Sequence, residues 1–308
     1  MTHLTRRAAL TAGAAFPLAA AVATPGPGRA DGHAAPLGFG RYRRFMIGDA
    51  EVTTLLTNTL TNPNDPQGIF GMNVDAETFE AVSTAAFLPT DKSQFFFTPT
   101  LVRTGTETVL FDTGQSAADI TAALDAAGHA PGDVTRVVIT HMHGDHVGGL
   151  MDGDAVTFEN ASYHTTQPEM DHWANSDSES FQTKVAPLRD RFEMVADGQE
   201  PVAGITAMAM HGHTPGHTGY MISSGDQSLL LVADLANHYV WSLGHPDWEV
   251  RFDMDKAAAA ATRRRVLGML ASERMPMVGY HMPFPAVGFV ETRGDGFHWV
   301  PESYQLML

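Results

Sequence analysis

Residues 141–149 read His-Met-His-Gly-Asp-His-Val-Gly-Gly, which puts three imidazoles and a carboxylate within six positions. A fold rarely crowds three histidines together unless a cation or a charge partner is there to share. The alternate positions His141 and His143 aim at one ion, and the turn that Gly144 allows swings Asp145 and His146 toward a second. A His-rich surface loop is the competing reading, and the density of donors outweighs it. The chain has no cysteine, which excludes disulfides, thiolate nucleophiles and Cys-ligated zinc. Histidine and carboxylate are then the only strong ligands available.

The motif follows a short β-branched strand over residues 137–140. The same order recurs downstream: 205–210 leads to His213, 229–233 leads to Asp234, and 277–280 leads to His281. Four strand ends therefore converge on one rim, which holds ligands rigidly and leaves one side of the ions open, as catalysis requires. Alternation predicts hairpin strands over 45–57, around Gly48-Asp49, and over 95–102 with 108–111, around residues 104–106. Helical spacing covers 117–127 and an Ala-rich stripe over 255–274, while 165–197 mixes helix and loop.

Lys and Arg number 19 against 35 Asp and Glu, a net charge of −16. Such a field repels polyphosphate backbones, so nucleic acid is disfavoured and small neutral substrates fit better, although bound cations would reverse the sign locally. Residues 1–30 carry Arg6-Arg7, an apolar run over 8–23 and a Pro/Gly-rich zone, in the order of an export signal of the twin-arginine type. The apolar run is too short and Ala-rich for a stable membrane span. A periplasmic or secreted catalytic domain over 31–308 is expected, with a homodimer left open.

The motif resembles the signature of the metallo-β-lactamase superfamily. The resemblance covers nearly all of the chain after the signal, because Asp112-Thr113-Gly114, His213-Thr214-Pro215-Gly216-His217-Thr218, Ala233-Asp234 and Gly279-Tyr280-His281 follow in order. It implies an α/β fold, a four-layer αββα sandwich with the site at the edge of two sheets. It implies that His141, His143 and His213 hold one metal, Asp145, His146 and His281 a second, and that Asp234 bridges them. Two divalent ions, zinc first among them, are the expected cofactors. Asp112 then orients a ligand histidine, His217 is structural, and His211 is a satisfied polar residue at a strand end. Flavodiiron-type proteins carry Glu where this chain has His143, which counts against diiron chemistry, while the ligand set alone admits a mononuclear iron.

Two cations sharing a water lower its pKa toward neutrality, so hydroxide serves as nucleophile and no protein nucleophile is required. Asp145 and Asp234 are the carboxylates placed to take the released proton. Residues 280–288, Tyr-His-Met-Pro-Phe-Pro-Ala-Val-Gly, with Asp247-Trp248 and the Thr262-Arg263-Arg264-Arg265 helix, resemble the methyl parathion hydrolase branch. The expected reaction is hydrolysis of a neutral ester, lactone or organophosphate triester. The alternatives are an acyl-homoserine lactonase and an iron-dependent oxidoreductase of the same fold. The lactonases usually have a tyrosine close after the bridging Asp, and here Tyr239 is displaced from that spacing. A non-enzymatic relic would be expected to have lost one of the seven ligands. Phe70, Met72, Phe95, Phe96, Trp241, Phe284 and Phe289 are candidate pocket walls, and His172, His238, His245 and His298 read as surface residues.

Overall fold

Period-two alternation sorts the strands of the first half onto two faces. Leu101, Leu110 and Val137 join one apolar core, while their neighbours Val102, Val109, Phe111 and Val138 join another, because successive side chains of a strand point to opposite sides. In the computed structural model, which describes residues 40–307 apart from Thr106, these strands build a seven-stranded sheet. Its order is Tyr42–Ile47, Ala50–Leu55, Thr100–Thr104, Glu107–Phe111, Arg136–Val138, Ser162–Thr165 and Phe192–Met194. The first four strands are antiparallel, and the last three are added in parallel. Helices Ala117–Ala126 and Gln167–Ala174 cover the outer face through Ile120, Leu124, Met170 and Trp173.

The second sheet orders Ile205–Ala209, Thr218–Ser224, Gln227–Ala233, Met277–Gly279, Val287–Arg293 and Gly296–Pro301. Leu229, Leu230, Leu231 and Val232 are all buried. Such a continuous apolar run belongs to a strand covered on both faces. One face meets the first sheet, and the other meets helix Lys256–Glu273, whose Val266, Leu267 and Leu270 share the core. The layers are therefore helix, sheet, sheet, helix, as expected. Asp255 caps that long helix by accepting from Ala258 N at 2.9 Å, and Arg274 ends it in a left-handed conformation (φ 53°).

The strand expected over 95–102 is two strands. Ser93–Phe97 pairs with Asn58–Asn62 in a separate two-stranded ribbon, while Thr100–Thr104 stays in the main sheet. Pro99 lies at the break, where a residue without an N–H cannot continue a ladder. The ribbon lies over the strand ends that carry the site. Sequence reading also passed over helix Ala76–Ala85, capped by Asp75, and the edge strand Phe192–Met194. The signal read at residues 1–30 lies outside the described residues. Among the described residues, no helix is long and apolar enough to cross a membrane.

Candidate metal centre

The strand Arg136–Val138 runs into the loop that carries His141 and His143, and a single helical turn, Gly144–Val147, presents Asp145 and His146. Tight packing fixes this loop. A Cβ on Gly149 would lie 2.2 Å from the Thr113 carbonyl oxygen, and one on Gly216 would lie 2.3 Å from the Glu169 nitrogen, so neither motif glycine admits a side chain. Ala233 adopts a left-handed conformation (φ 46°) that turns the chain out of its strand at Asp234. Such strain in a non-glycine residue persists only where its surroundings enforce it.

All seven expected residues come together. His143 Nδ1 lies 3.0 Å from His141 Nε2 and 3.0 Å from His213 Nε2. These three and Asp234 form one group of possible ligands, and Asp145, His146 and His281 form a second. Asp234 reaches both: Oδ2 is 3.4 Å from His213 Nε2 and 3.2 Å from His281 Nε2, and Oδ1 is 3.2 Å from His146 Nε2.

These donors fit a cation. One proton on His143 Nδ1 serves only one of its two imidazole neighbours, and His146 Nε2 and Asp234 Oδ1 are buried without a hydrogen-bond partner. Converging nitrogen and oxygen lone pairs of this kind are what a borderline divalent ion such as zinc satisfies. The electrostatics divide the site. Burial, reinforced by neighbouring imidazoles, holds His141 well below the usual imidazole range and His143 at about 3. Burial also opposes charge on His281, but Asp234 and Asp145 raise it to about 10.

Each ligand is held from outside, which fixes ring orientation and tautomer. His146 Nδ1 meets Asp112 Oδ2 at 2.8 Å, as the motif implied, and Asp112 also accepts from Thr140 N and Oγ1. His281 Nδ1 donates to the Phe96 carbonyl at 2.8 Å. His217 Nδ1 donates to Met210 O, leaving Nε2 to accept from Asp234 N at 3.2 Å, so its structural role stands.

Four supports escaped sequence reading. His213 Nδ1 meets Asp253 Oδ1 at 3.0 Å, and Asp253 Oδ2 accepts from Arg263 Nη1 at 2.6 Å. Arg263 is buried in that pair, so it is no cationic substrate clamp. Asn237 Nδ2 donates to Asp234 Oδ2 at 2.8 Å. Glu169, fully buried, accepts from Met142 N and Trp173 Nε1 on one oxygen and from Thr214 Oγ1 and Gly216 N on the other. Asn237, three positions after Asp234, and Arg263, in the arginine triplet, lay in stretches that the motifs brought into view, but neither role was visible there.

A cavity of about 450 Å³ opens on the centre, with Leu60, Ile69, Phe95, Phe97 and Phe252 as apolar walls and His143, Asp145, Asp234 and His281 at its base. Among the described residues, no Lys or Arg lines it. Of the expected walls, Phe95 is in place, while Phe96 and Trp241 line an adjoining cavity. Phe70 is wholly buried behind Phe95, and Phe289 lines a third cavity. Neither cavity at the centre includes Met72 or Phe284. His238 is no surface residue: it is buried against Trp241, with ring centroids 4.0 Å apart. His245 is half-buried, stacked on Trp248, whereas His172 and His298 are partly exposed.

A family model described as the metallo-beta-lactamase superfamily matches residues 98–277. The lactamase-like protein adaB of Aspergillus niger is 33% identical over 96 residues, a match that spans 30% of this chain and 30% of that protein. Among solved structures, AidC, a dizinc quorum-quenching lactonase in complex with a hexanoyl-homoserine product, aligns with TM-score 0.79 and 25% identity, over 86% of this chain and 98% of that one. A hydrolase of the beta lactamase superfamily, AbOPH, aligns with TM-score 0.79 and 22% identity, over 87% of this chain and 100% of the other. A probable metal-dependent hydrolase from Staphylococcus aureus aligns with TM-score 0.70 and 20% identity, over 84% and 99%.

Proposed function

Because the chain belongs to the metallo-beta-lactamase superfamily, we propose that it hydrolyses a neutral ester or lactone at a centre of two divalent cations, zinc foremost. His141, His143 and His213 would hold one ion, Asp145, His146 and His281 the other, and Asp234 both. The observation that carries this reading is the position of Asp234, within 3.4 Å of His213, His146 and His281, at the base of an apolar cavity. Bound there, the two cations would ionise a water near neutral pH and polarise the substrate's carbonyl oxygen.

The chain's own part is orientation and proton handling. Asp145 has a side chain 25% exposed, against 4% for Asp234, so its carboxylate is the more open of the two to the cavity. It takes the proton that the attacking water loses and returns it to the leaving oxygen once the acyl C–O bond breaks. Burial opposes the charge of Asp145, but His146 and His281 hold its pKa low. Tyr280 donates to the Asp145 carbonyl at 2.6 Å and fixes that turn. The likeness to a lactonase at 25% identity supports a lactone among the neutral substrates, and the wider class includes phosphotriesters.

The acidic chain and the absence of a lining cation set the test. p-Nitrophenyl acetate, a homoserine lactone, methyl paraoxon and p-nitrophenyl phosphate should be compared at matched ionic strength. The neutral substrates should be favoured, since a dianion must shed hydration and approach a negative protein. The reading is wrong if the phosphomonoester has the highest kcat/KM. We also propose export through residues 1–30: Arg6→Lys with Arg7→Lys should leave the chain uncleaved in the cytoplasm, and unchanged periplasmic yield would reject the twin-arginine route.

A further inference from the structure

The two-stranded ribbon divides the space above the centre into two cavities. Alternation along Ser93–Phe97 turns Phe95 and Phe97 to the cavity at the metal ligands, and Gln94 and Phe96 to an adjoining cavity of about 480 Å³. Thr61 and His281 line both, so the two spaces meet beside a proposed metal ligand. The adjoining cavity is walled mainly by apolar groups, among them Leu88, Pro89, Phe96 and Trp241.

Two polar atoms in that wall, His238 Nε2 and Ser93 Oγ, have no hydrogen-bond partner among the described residues. His238 is only 6% exposed, and its Nδ1 accepts from the backbone N–H groups of Val240 and Trp241, at 3.1 and 3.2 Å. A ring nitrogen that accepts carries no proton, so the neutral ring has its N–H on Nε2. Burial holds the imidazole at about 3, which keeps it neutral at working pH. Trp241 stacks on the ring at 4.0 Å and fixes its plane, and Nε2 makes no hydrogen bond to any described residue. Ser93, 4% exposed, also has a buried Oγ without a partner. A buried hydroxyl without a partner is costly, and a ring N–H in the wall of a cavity is expected to meet a ligand or water.

We propose that this adjoining cavity binds the apolar arm of the substrate, and that His238 Nε2–H, supported by Ser93, donates to an oxygen acceptor on that arm. The inference rests on the hydrolase reading and deepens it: the scissile carbonyl sits at the metal ligands, and an amide-bearing alkyl arm passes His281 into the second cavity. His238 is then a specificity-determining residue. It selects arms that carry an acceptor over plain alkyl arms of similar length.

The test is the ratio of kcat/KM for N-hexanoyl-homoserine lactone to that for α-heptyl-γ-butyrolactone, which carries on the same ring carbon an arm of the same length that lacks the amide. His238→Asn keeps an acceptor for the two backbone N–H groups and deletes the Nε2 donor. It should lower the ratio about tenfold, through KM more than kcat, as loss of one buried hydrogen bond predicts. His238→Gln, which carries a donor near the Nε2 position, should restore part of the ratio, and Ser93→Ala should lower it about threefold. An unchanged ratio in His238→Asn overturns the proposal. A second readout does not depend on turnover: in the 15N-histidine protein, N-butylhexanamide should shift the His238 Nε2–H resonance. If neither lactone is hydrolysed, the lactonase reading fails while a shift still supports the subsite, and no shift rejects the subsite.

Discussion

The two sheets supply the centre in different ways. The first delivers His141, His143, Asp145 and His146 on one loop after the strand Arg136–Val138, so a single backbone excursion places four donors. The second delivers His213, Asp234 and His281 from the ends of three strands, each with its own anchor: Asp253 with Arg263, then His217 with Asn237, then the Phe96 carbonyl. A compact arm holds its donors through shared backbone. A dispersed arm depends on separate buried contacts, and damage there should act on one ligand at a time. Glu169 ties the arms together, through Met142 on the first and Thr214 and Gly216 on the second, and Tyr280 does so through the Asp145 carbonyl.

The largest effect should come from the residue that both ligand groups share. Asp234→Ala should lower bound metal toward one equivalent and reduce hydrolysis to the assay background, measured by metal analysis and turnover on one preparation. Two retained equivalents with near-normal activity would remove Asp234 from the centre. Next comes Arg263→Met, which leaves Asp253 buried without its cation. Thermal or urea unfolding should show a loss of about 3–5 kcal/mol, with His213 the ligand most disturbed. A loss below about 1 kcal/mol would mean that this pair does not anchor the dispersed arm.

On the compact arm, Asp112→Asn should weaken metal binding by about 10- to 100-fold, because His146 loses the carboxylate that orients it. Competition with a chelator would measure this, and unaltered affinity would show that the loop backbone suffices. The smallest effect is expected from Glu169→Gln, which keeps the shape but sets an amide N–H against one pair of donors. A cost of about 1–3 kcal/mol in stability is expected, with a matched fall in the occupancy of both ions. A fall confined to one ion would show that Glu169 serves a single arm.

The same division explains what could be read in advance. The compact arm is a contiguous string, so its chemistry is visible in the sequence. The dispersed ligands are legible because each follows an apolar strand and stands in a motif of the family that the chain resembles. Their anchors were not visible: Asp253 and Arg263 lie far from His213 in sequence, and a buried ion pair leaves no local pattern. Arg263 stood out only as one of three successive arginines, because the Ala-rich stripe of helix Lys256–Glu273 does not reveal which cation turns inward. His238 looked like a surface histidine for the same reason, since only tertiary packing brings Trp241 and Phe70 against it. Pro99 did signal the end of a strand, yet the separate ribbon follows from pairing between Asn58–Asn62 and Ser93–Phe97, which lie far apart in the chain.

The central claim, two cations held in common by a compact and a dispersed arm, is tested most directly by anomalous diffraction from crystals of the zinc-loaded protein, above and below the zinc edge. Two edge-dependent peaks are expected, one among His141, His143 and His213 and one among Asp145, His146 and His281, with the Asp234 carboxylate touching both. A single peak at saturating zinc, or two peaks with Asp234 turned away from either, would contradict the account.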